Sequence, residues 1–100
     1  MKYVEMREAI KDKKRILNYH SKSVHSKLLY LVNDILDEPR NFNTIGNPEK
    51  LKHNEKEIWS RELSKKDRIV YGIEQGADYD IPEEKEVIVF YQYLGHYSDK

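Results

Sequence analysis

Apolar and polar positions along the chain fall into two helical patterns followed by three strand-like ones. From Glu5 to Tyr19, Met6, Ala9, Ile10, Ile16 and Leu17 recur at roughly helical spacing among lysines and aspartates. The stripe is thin, which predicts a surface helix. The polar run His20-Ser21-Lys22-Ser23 interrupts it and offers serine caps. Val24 to Asp37 carries a stronger stripe, with Val24, Leu28, Leu31, Val32, Ile35 and Leu36 on one face. Pro39 ends that helix, because the residue before a proline avoids helical geometry. So few residues separate the two segments that an antiparallel helical hairpin is expected.

Beyond Pro39 the period changes. Arg40 to Pro48 reads as an asparagine-rich loop with Gly46, pinned to the core by Phe42 and Ile45. Glu49 to Asn54 fits either a helical turn or irregular chain. Ile58 to Leu63 alternates as a strand does, and Ser64-Lys65-Lys66-Asp67 supplies a hairpin turn. Arg68 to Glu74 is a second strand, with Ile69, Tyr71 and Ile73 on one side and Arg68, Val70 and Gly72 on the other. Gln75 to Glu86 is a long acidic loop, expected to be a mobile excursion between strands. Val87 to Leu94, dominated by β-branched and aromatic residues, is the last strand. Lys2 to Met6 fits a short strand or the lead-in to the first helix. The expected fold is α+β: two N-terminal helices packed on one face of a small antiparallel sheet of three to four strands. It forms a single domain over residues 1–100, with the acidic loop at 75–86 as an insertion.

Composition narrows the chemistry. At 100 residues the chain is one small domain with a modest core. Apolar residues make up 38% and charged residues 36%, yet the periodicity above excludes a disordered chain. The absence of cysteine excludes disulfides and thiolate metal sites. No apolar run approaches the roughly 18–20 residues that span a membrane, and the N-terminus is too charged for a signal-peptide core. A cytoplasmic protein with no membrane partner is expected. Formal net charge is zero, from 18 basic and 18 acidic residues, which taken whole argues against nucleic acid. The distribution matters more. Asp78, Asp80, Glu83, Glu84 and Glu86 against Lys85 give residues 75–86 a charge of −4, leaving +4 on the other 88 residues. A mildly basic body with one acidic loop is compatible with an RNA partner.

The four histidines, His20, His25, His53 and His96, show no metal-ligand spacing, and no glycine-rich phosphate loop is present. What remains is general acid–base chemistry without a cofactor. Glu49, just after the turn Gly46-Asn47-Pro48, sits where a general base could act; its ordinary alternative is a solvated glutamate. His96 can donate a proton to a leaving oxygen near neutral pH; its alternative is a surface residue. Arg68 should project from the uncovered sheet face, where an arginine could clamp a phosphate; its alternative is an exposed arginine paired with Glu62 across the hairpin. Lys52 and His53 add positive charge near Glu49. Tyr91 and Tyr93 are read as sheet or core packing. Tyr97 is open between packing and stacking on an RNA base.

Four spaced blocks then occur in order: GNPEKLKHN over residues 46–54, IWSRELSKKDRIVY over 58–71, a terminal aromatic strand, and a closing His96-Tyr97. Together they resemble the YoeB/Txe family of bacterial toxins, within the RelE-like superfamily of ribosome-dependent mRNA endonucleases. The resemblance covers roughly residues 20–97. It implies that Glu49 is the general base for an RNA 2′-hydroxyl, that His96 is the general acid for the departing 5′-oxygen, and that Arg68 stabilises charge on the phosphate. It also implies supporting or RNA-binding roles for Lys52, Arg61 and Tyr97. The implied products are a 2′,3′-cyclic phosphate and a 5′-hydroxyl, with no metal. The implied partners are mRNA in the ribosomal A site, the 70S ribosome, a YefM/Phd-like antitoxin and a second copy of the chain. The sequence departs from the family pattern at Glu62, where the second of two consecutive arginines is usual, and at Asp67, where histidine is. A second reading, suggested by these acids and by the zero net charge, is a non-enzymatic interaction protein of the same fold. It would be a ParE-like binder of a protein target or a toxin that only binds an antitoxin.

Overall fold

The computed structural model describes residues 1–52 and 55–96, the last of these by its backbone alone. Along the chain run β1 (Tyr3–Glu5), α1 (Arg7–Tyr19), α2 (Lys22–Asp37), β2 (Glu49–Lys50), β3 (Glu57–Glu62), β4 (Asp67–Gln75) and β5 (Glu86–His96), with a 3-10 turn at Gly76–Tyr79. The strands form one sheet in the order β1-β5-β4-β3-β2. β2 to β5 pair antiparallel, but β1 runs parallel to β5, with Val4 opposite Val89. The sheet is therefore mixed and five-stranded, not antiparallel with three or four strands. The short N-terminal strand reaches β5 through the whole intervening chain, so no tight turn forces the antiparallel sense.

One sheet face is packed by the helices. α2 buries Leu28, Leu31 and Ile35 at helical spacing, and Ser21 caps it by accepting from the Val24 N–H at 3.4 Å. These side chains meet Trp59, Leu63, Ile69, Tyr71, Ile73, Ile88, Phe90 and Tyr93 from the sheet. α1 differs from its sequence stripe. Ala9 and Ile16 are buried, but Ile10 and Leu17 are exposed, and the third buried position is Asp12. Asp12 is inside because β5 needs an acceptor there. β5 bulges against β4 between the pairs Arg68–Gly95 and Val70–Gln92. The bulge N–H groups of Tyr93 and Leu94 both donate to the Asp12 carboxylate, at 2.9 and 3.0 Å. Unpaired, these buried donors would destabilise the strand.

The connection after α2 is held by side chains of the sheet. Tyr71 donates its hydroxyl to the Pro39 carbonyl at 2.7 Å. Ile45 packs against the core as expected, whereas Phe42 stays exposed and leans its ring on Trp59 at a centroid distance of 4.7 Å. The acidic excursion has structure of its own. Its 3-10 turn is closed by Ile81 N–H donating to the Gly76 carbonyl and Glu84 N–H to the Ile81 carbonyl, and Tyr79 donates to Glu74 at 2.7 Å. A Cβ on Gly76 would lie 2.2 Å from the Glu84 carbonyl oxygen, so this closure requires glycine.

Candidate active site

The site is built on the sheet face away from the helices. Side chains directly opposite in an antiparallel ladder share a face, as do alternate residues on one strand. Glu49 is opposite Ser60, and Arg68 is opposite Glu62 on one side and Gly95 on the other. Glu49, Ser60, Glu62 and Arg68 therefore share the face opposite to Ile69 and Tyr71. Glu49 lies in β2, a two-residue edge strand, where the sequence suggested a helical turn or irregular chain.

The turn before β2 sets the geometry. Gly46 and Asn47 both have positive φ, +81° and +45°. A Cβ at Gly46 would come within 2.8 Å of the Leu31 side chain, so the turn can press on α2 only with glycine there. Gly46 accepts the Glu62 N–H through its carbonyl at 2.6 Å, which fixes the turn to β3. The reversal at Asn47 aims its carbonyl at Arg68.

Arg68 is 6% exposed, so its charge is folded into the sheet surface instead of standing free of it. Nε donates to the Ser60 hydroxyl at 2.9 Å, and one terminal nitrogen donates to the Asn47 carbonyl at 2.8 Å and the Ser60 carbonyl at 3.4 Å. The same nitrogen lies 4.0 Å from the Glu49 carboxylate. A buried guanidinium needs such acceptors to offset its lost hydration. The result is a fixed cation beside a half-exposed carboxylate. Lys52 is exposed just beyond β2. Glu62 is half-buried and accepts from the Asn47 side-chain amide at 3.2 Å. Asp67 belongs to the β3–β4 turn, where its N–H donates to the Ser64 hydroxyl at 3.1 Å and its carboxylate accepts from that hydroxyl.

The backbone of His96 lies opposite Asp67, next to the Arg68–Gly95 pair, so the chain of β5 reaches the site. The His96 side chain, Tyr97 and His53 lie outside the described residues. Among the described residues, no group of three His, Asp or Glu side chains is placed to hold a metal ion.

The sequence profile described as the YoeB-like toxin of bacterial type II toxin–antitoxin systems matches residues 6–97. The chain belongs to the YoeB-like toxin family. The match takes in the first helix, beyond the span of roughly 20–97 that the four sequence blocks cover. Among solved structures, a YoeB/ParE toxin from Agrobacterium tumefaciens superposes with a TM-score of 0.76 at 23% identity, covering 97% of this chain and 100% of that one. The Staphylococcus aureus YoeB dimer gives 0.74 at 25% identity, covering 97% and 98%. The YoeB-YefM complex from the same organism gives 0.70 at 25% identity, with the same coverage. No curated protein sequence matches the chain.

One expected member of the site is elsewhere. Arg61 is opposite Ile69, so it faces the helices, and it is fully buried. It binds the Asp34 carboxylate at 2.5 Å and the carbonyls of Ile45 and Glu38 at 3.3 and 3.0 Å. Burial pushes the Asp34 carboxyl up, but hydrogen bonds from Arg61 and Thr44 and the arginine's charge outweigh it and hold the group below its ordinary value. Arg61 thus ties α2 and the following loop to β3, and a direct role at RNA is corrected by strand alternation: its neighbour Ser60 points to the site and it cannot. Tyr91 and Tyr93 are packing residues as read. Tyr93 is in the core and donates to Glu5 at 2.5 Å, and Tyr91 donates to Glu74 on the other face. Sequence reasoning missed Ser60, Asn47 and Asp12. A signal existed for Asn47, since asparagine after glycine tolerates positive φ; none marked Asp12.

Proposed function

We propose that the chain is a ribosome-dependent mRNA endoribonuclease, the toxin of a toxin–antitoxin pair. The observation that carries this reading is the Glu49–Arg68 pair on the open sheet face, with the guanidinium locked by Ser60 and Asn47. In the proposed reaction Glu49 takes the proton from a ribose 2′-hydroxyl, whose oxygen attacks the adjacent phosphorus. Arg68 stabilises the added negative charge without having to reorganise, which is where a fixed cation is most effective. The bond to the 5′-oxygen breaks, His96 protonates that oxygen, and the products are a 2′,3′-cyclic phosphate and a 5′-hydroxyl. Lys52 and Tyr97 support binding of the RNA. By analogy with the staphylococcal relatives, we infer a homodimer and a YefM-like antitoxin, acting in the cytoplasm on mRNA in the A site of the 70S ribosome.

The test is mapping of 5′ ends on a translated mRNA, with ribosomes, for the wild type, Glu49→Gln and His96→Ala. New cuts at ribosome-positioned codons, lost in both variants, are expected. A second reading, a non-enzymatic target binder of the same fold, draws on the deep burial of Arg68 and the carboxylate of Glu62 beside it. Absence of cuts together with absence of ribosome sedimentation at low salt would establish that reading instead.

A further inference from the structure

The face that holds Glu49 and Arg68 carries a second carboxylate. Glu62 is directly opposite Arg68 in the β3–β4 ladder, so the two side chains leave the sheet on the same side. A single residue joins them: Asn47 donates its side-chain amide to the Glu62 carboxylate at 3.2 Å and accepts from Arg68 through its carbonyl at 2.8 Å. Its positive φ of 45° lets one short turn make both contacts. Glu62 is half-buried, and this hydrogen bond directs its carboxylate toward the turn that also contacts Arg68. Glu49 stands 4.0 Å from the same guanidinium. Two carboxylates, Glu49 and Glu62, thus share the face of the Arg68 guanidinium, and each lowers the positive potential that meets an incoming phosphate there.

We propose that Glu62 is an affinity-setting residue of this site: its tethered carboxylate opposes the RNA phosphate at Arg68 and keeps RNA binding by the isolated protein weak. The proposal rests on the reading of Arg68 as the phosphate-facing residue. Glu49 is needed as a base, so its charge cannot be dispensed with; Glu62 has no such role, and its charge acts only against the polyanion.

The experiment uses the full chain and a single-stranded oligoribonucleotide whose 2′-hydroxyls are methylated, so that it binds but cannot be cut. Fluorescence anisotropy at low salt compares the wild type with Glu62→Gln, Glu62→Arg and the surface control Asp78→Asn. Glu62→Gln keeps an oxygen for the Asn47 amide and is expected to bind about three- to ten-fold tighter, as unit charges several ångströms apart in a half-solvated site imply. Glu62→Arg should gain more, Asp78→Asn should gain nothing, and the differences should shrink as salt rises. Equal or weaker binding by Glu62→Gln and by Glu62→Arg, with circular dichroism unchanged, would overturn the proposal. So would an equal gain from Asp78→Asn, which would assign the effect to bulk charge. Loss of binding in Arg68→Gln reports separately on the functional reading. If Arg68→Gln binds as the wild type does, Arg68 does not face the phosphate, and that reading falls and this proposal with it; if no variant binds, Glu62 does not set the affinity and this proposal falls alone. If only the Glu62 gain is missing, the functional reading stands.

Discussion

A cation folded into a sheet surface has little freedom, and Arg68 shows how that freedom is removed. Among the described residues its hydrogen-bond acceptors include the Ser60 hydroxyl and the carbonyls of Ser60 and Asn47, and of these three the hydroxyl can be deleted by substitution. Ser60→Ala leaves a buried N–H of a charged group without its partner, at a cost of about 1–3 kcal/mol. We expect cleavage to fall by about ten-fold or more, with the larger part in kcat, while Ser60→Thr retains more activity than Ser60→Ala. Asn47 is constrained differently. Asn47→Gly should fold normally, whereas Asn47→Ala has to hold a left-handed conformation at about 1 kcal/mol or more, visible as a lower urea midpoint. Asp12 accepts two bulge N–H groups, so Asp12→Ala strands both, and Asp12→Asn, which keeps an acceptor oxygen, should be clearly milder.

Between elements, the ion pair of buried Arg61 with partly buried Asp34 joins β3 to α2. Arg61→Met leaves the Asp34 carboxylate, a quarter exposed and still bonded by Thr44, without its cation, and should cost about 1–3 kcal/mol. The double variant Arg61→Met/Asp34→Leu removes both charges and should recover most of that loss. Urea denaturation of the three proteins measures the coupling directly. The same contact explains why Arg61 could not be placed from sequence. Next to Ser60 in a motif, it looks like a second phosphate ligand. Strand alternation sends consecutive residues to opposite faces, and which face is open is known only once the helices are placed. The acidic excursion is similar. Its composition suggests mobility, but Gly76 lets the chain close on Ile81 and Glu84. Slow amide exchange at Ile81 and Glu84 is the expected signature.

At the scale of the whole molecule, an ion cluster links three distant parts of the chain. Arg40, from the loop after α2, binds Glu57 at the start of β3 through two nitrogens at 2.7 and 2.8 Å, and Glu86 at the start of β5 at 2.8 and 3.1 Å. Hydrogen bonds from Arg40 hold the Glu57 carboxyl well down, to about 2, and lower that of Glu86. A lowered carboxyl contributes stability above its ordinary value of 4.5, and that contribution is lost as pH falls toward about 2. Arg40→Gln should therefore melt lower than the wild type at pH 7, by about 4–8 °C per kcal/mol lost, and the two should converge near the acid end. Partial exposure of the cluster keeps the loss modest.

The two helices, the three long strands after them, the hairpin at Ser64–Asp67, the α2 stripe and the two sides of β4 were all written in local patterns, because period and turn chemistry act over a few residues. The family blocks likewise marked Glu49, Arg68 and His96, and the structure brings the first two to 4.0 Å. Tertiary structure added what depends on distant chain. It made β1 a parallel fifth strand, since pairing with β5 requires the whole fold to be present. It turned Arg61 inward and buried Asp12, because each answers a polar group contributed by another element. It also set Arg68 and Glu62 side by side with Asn47 between them, a neighbourhood fixed by strand register and by one left-handed turn.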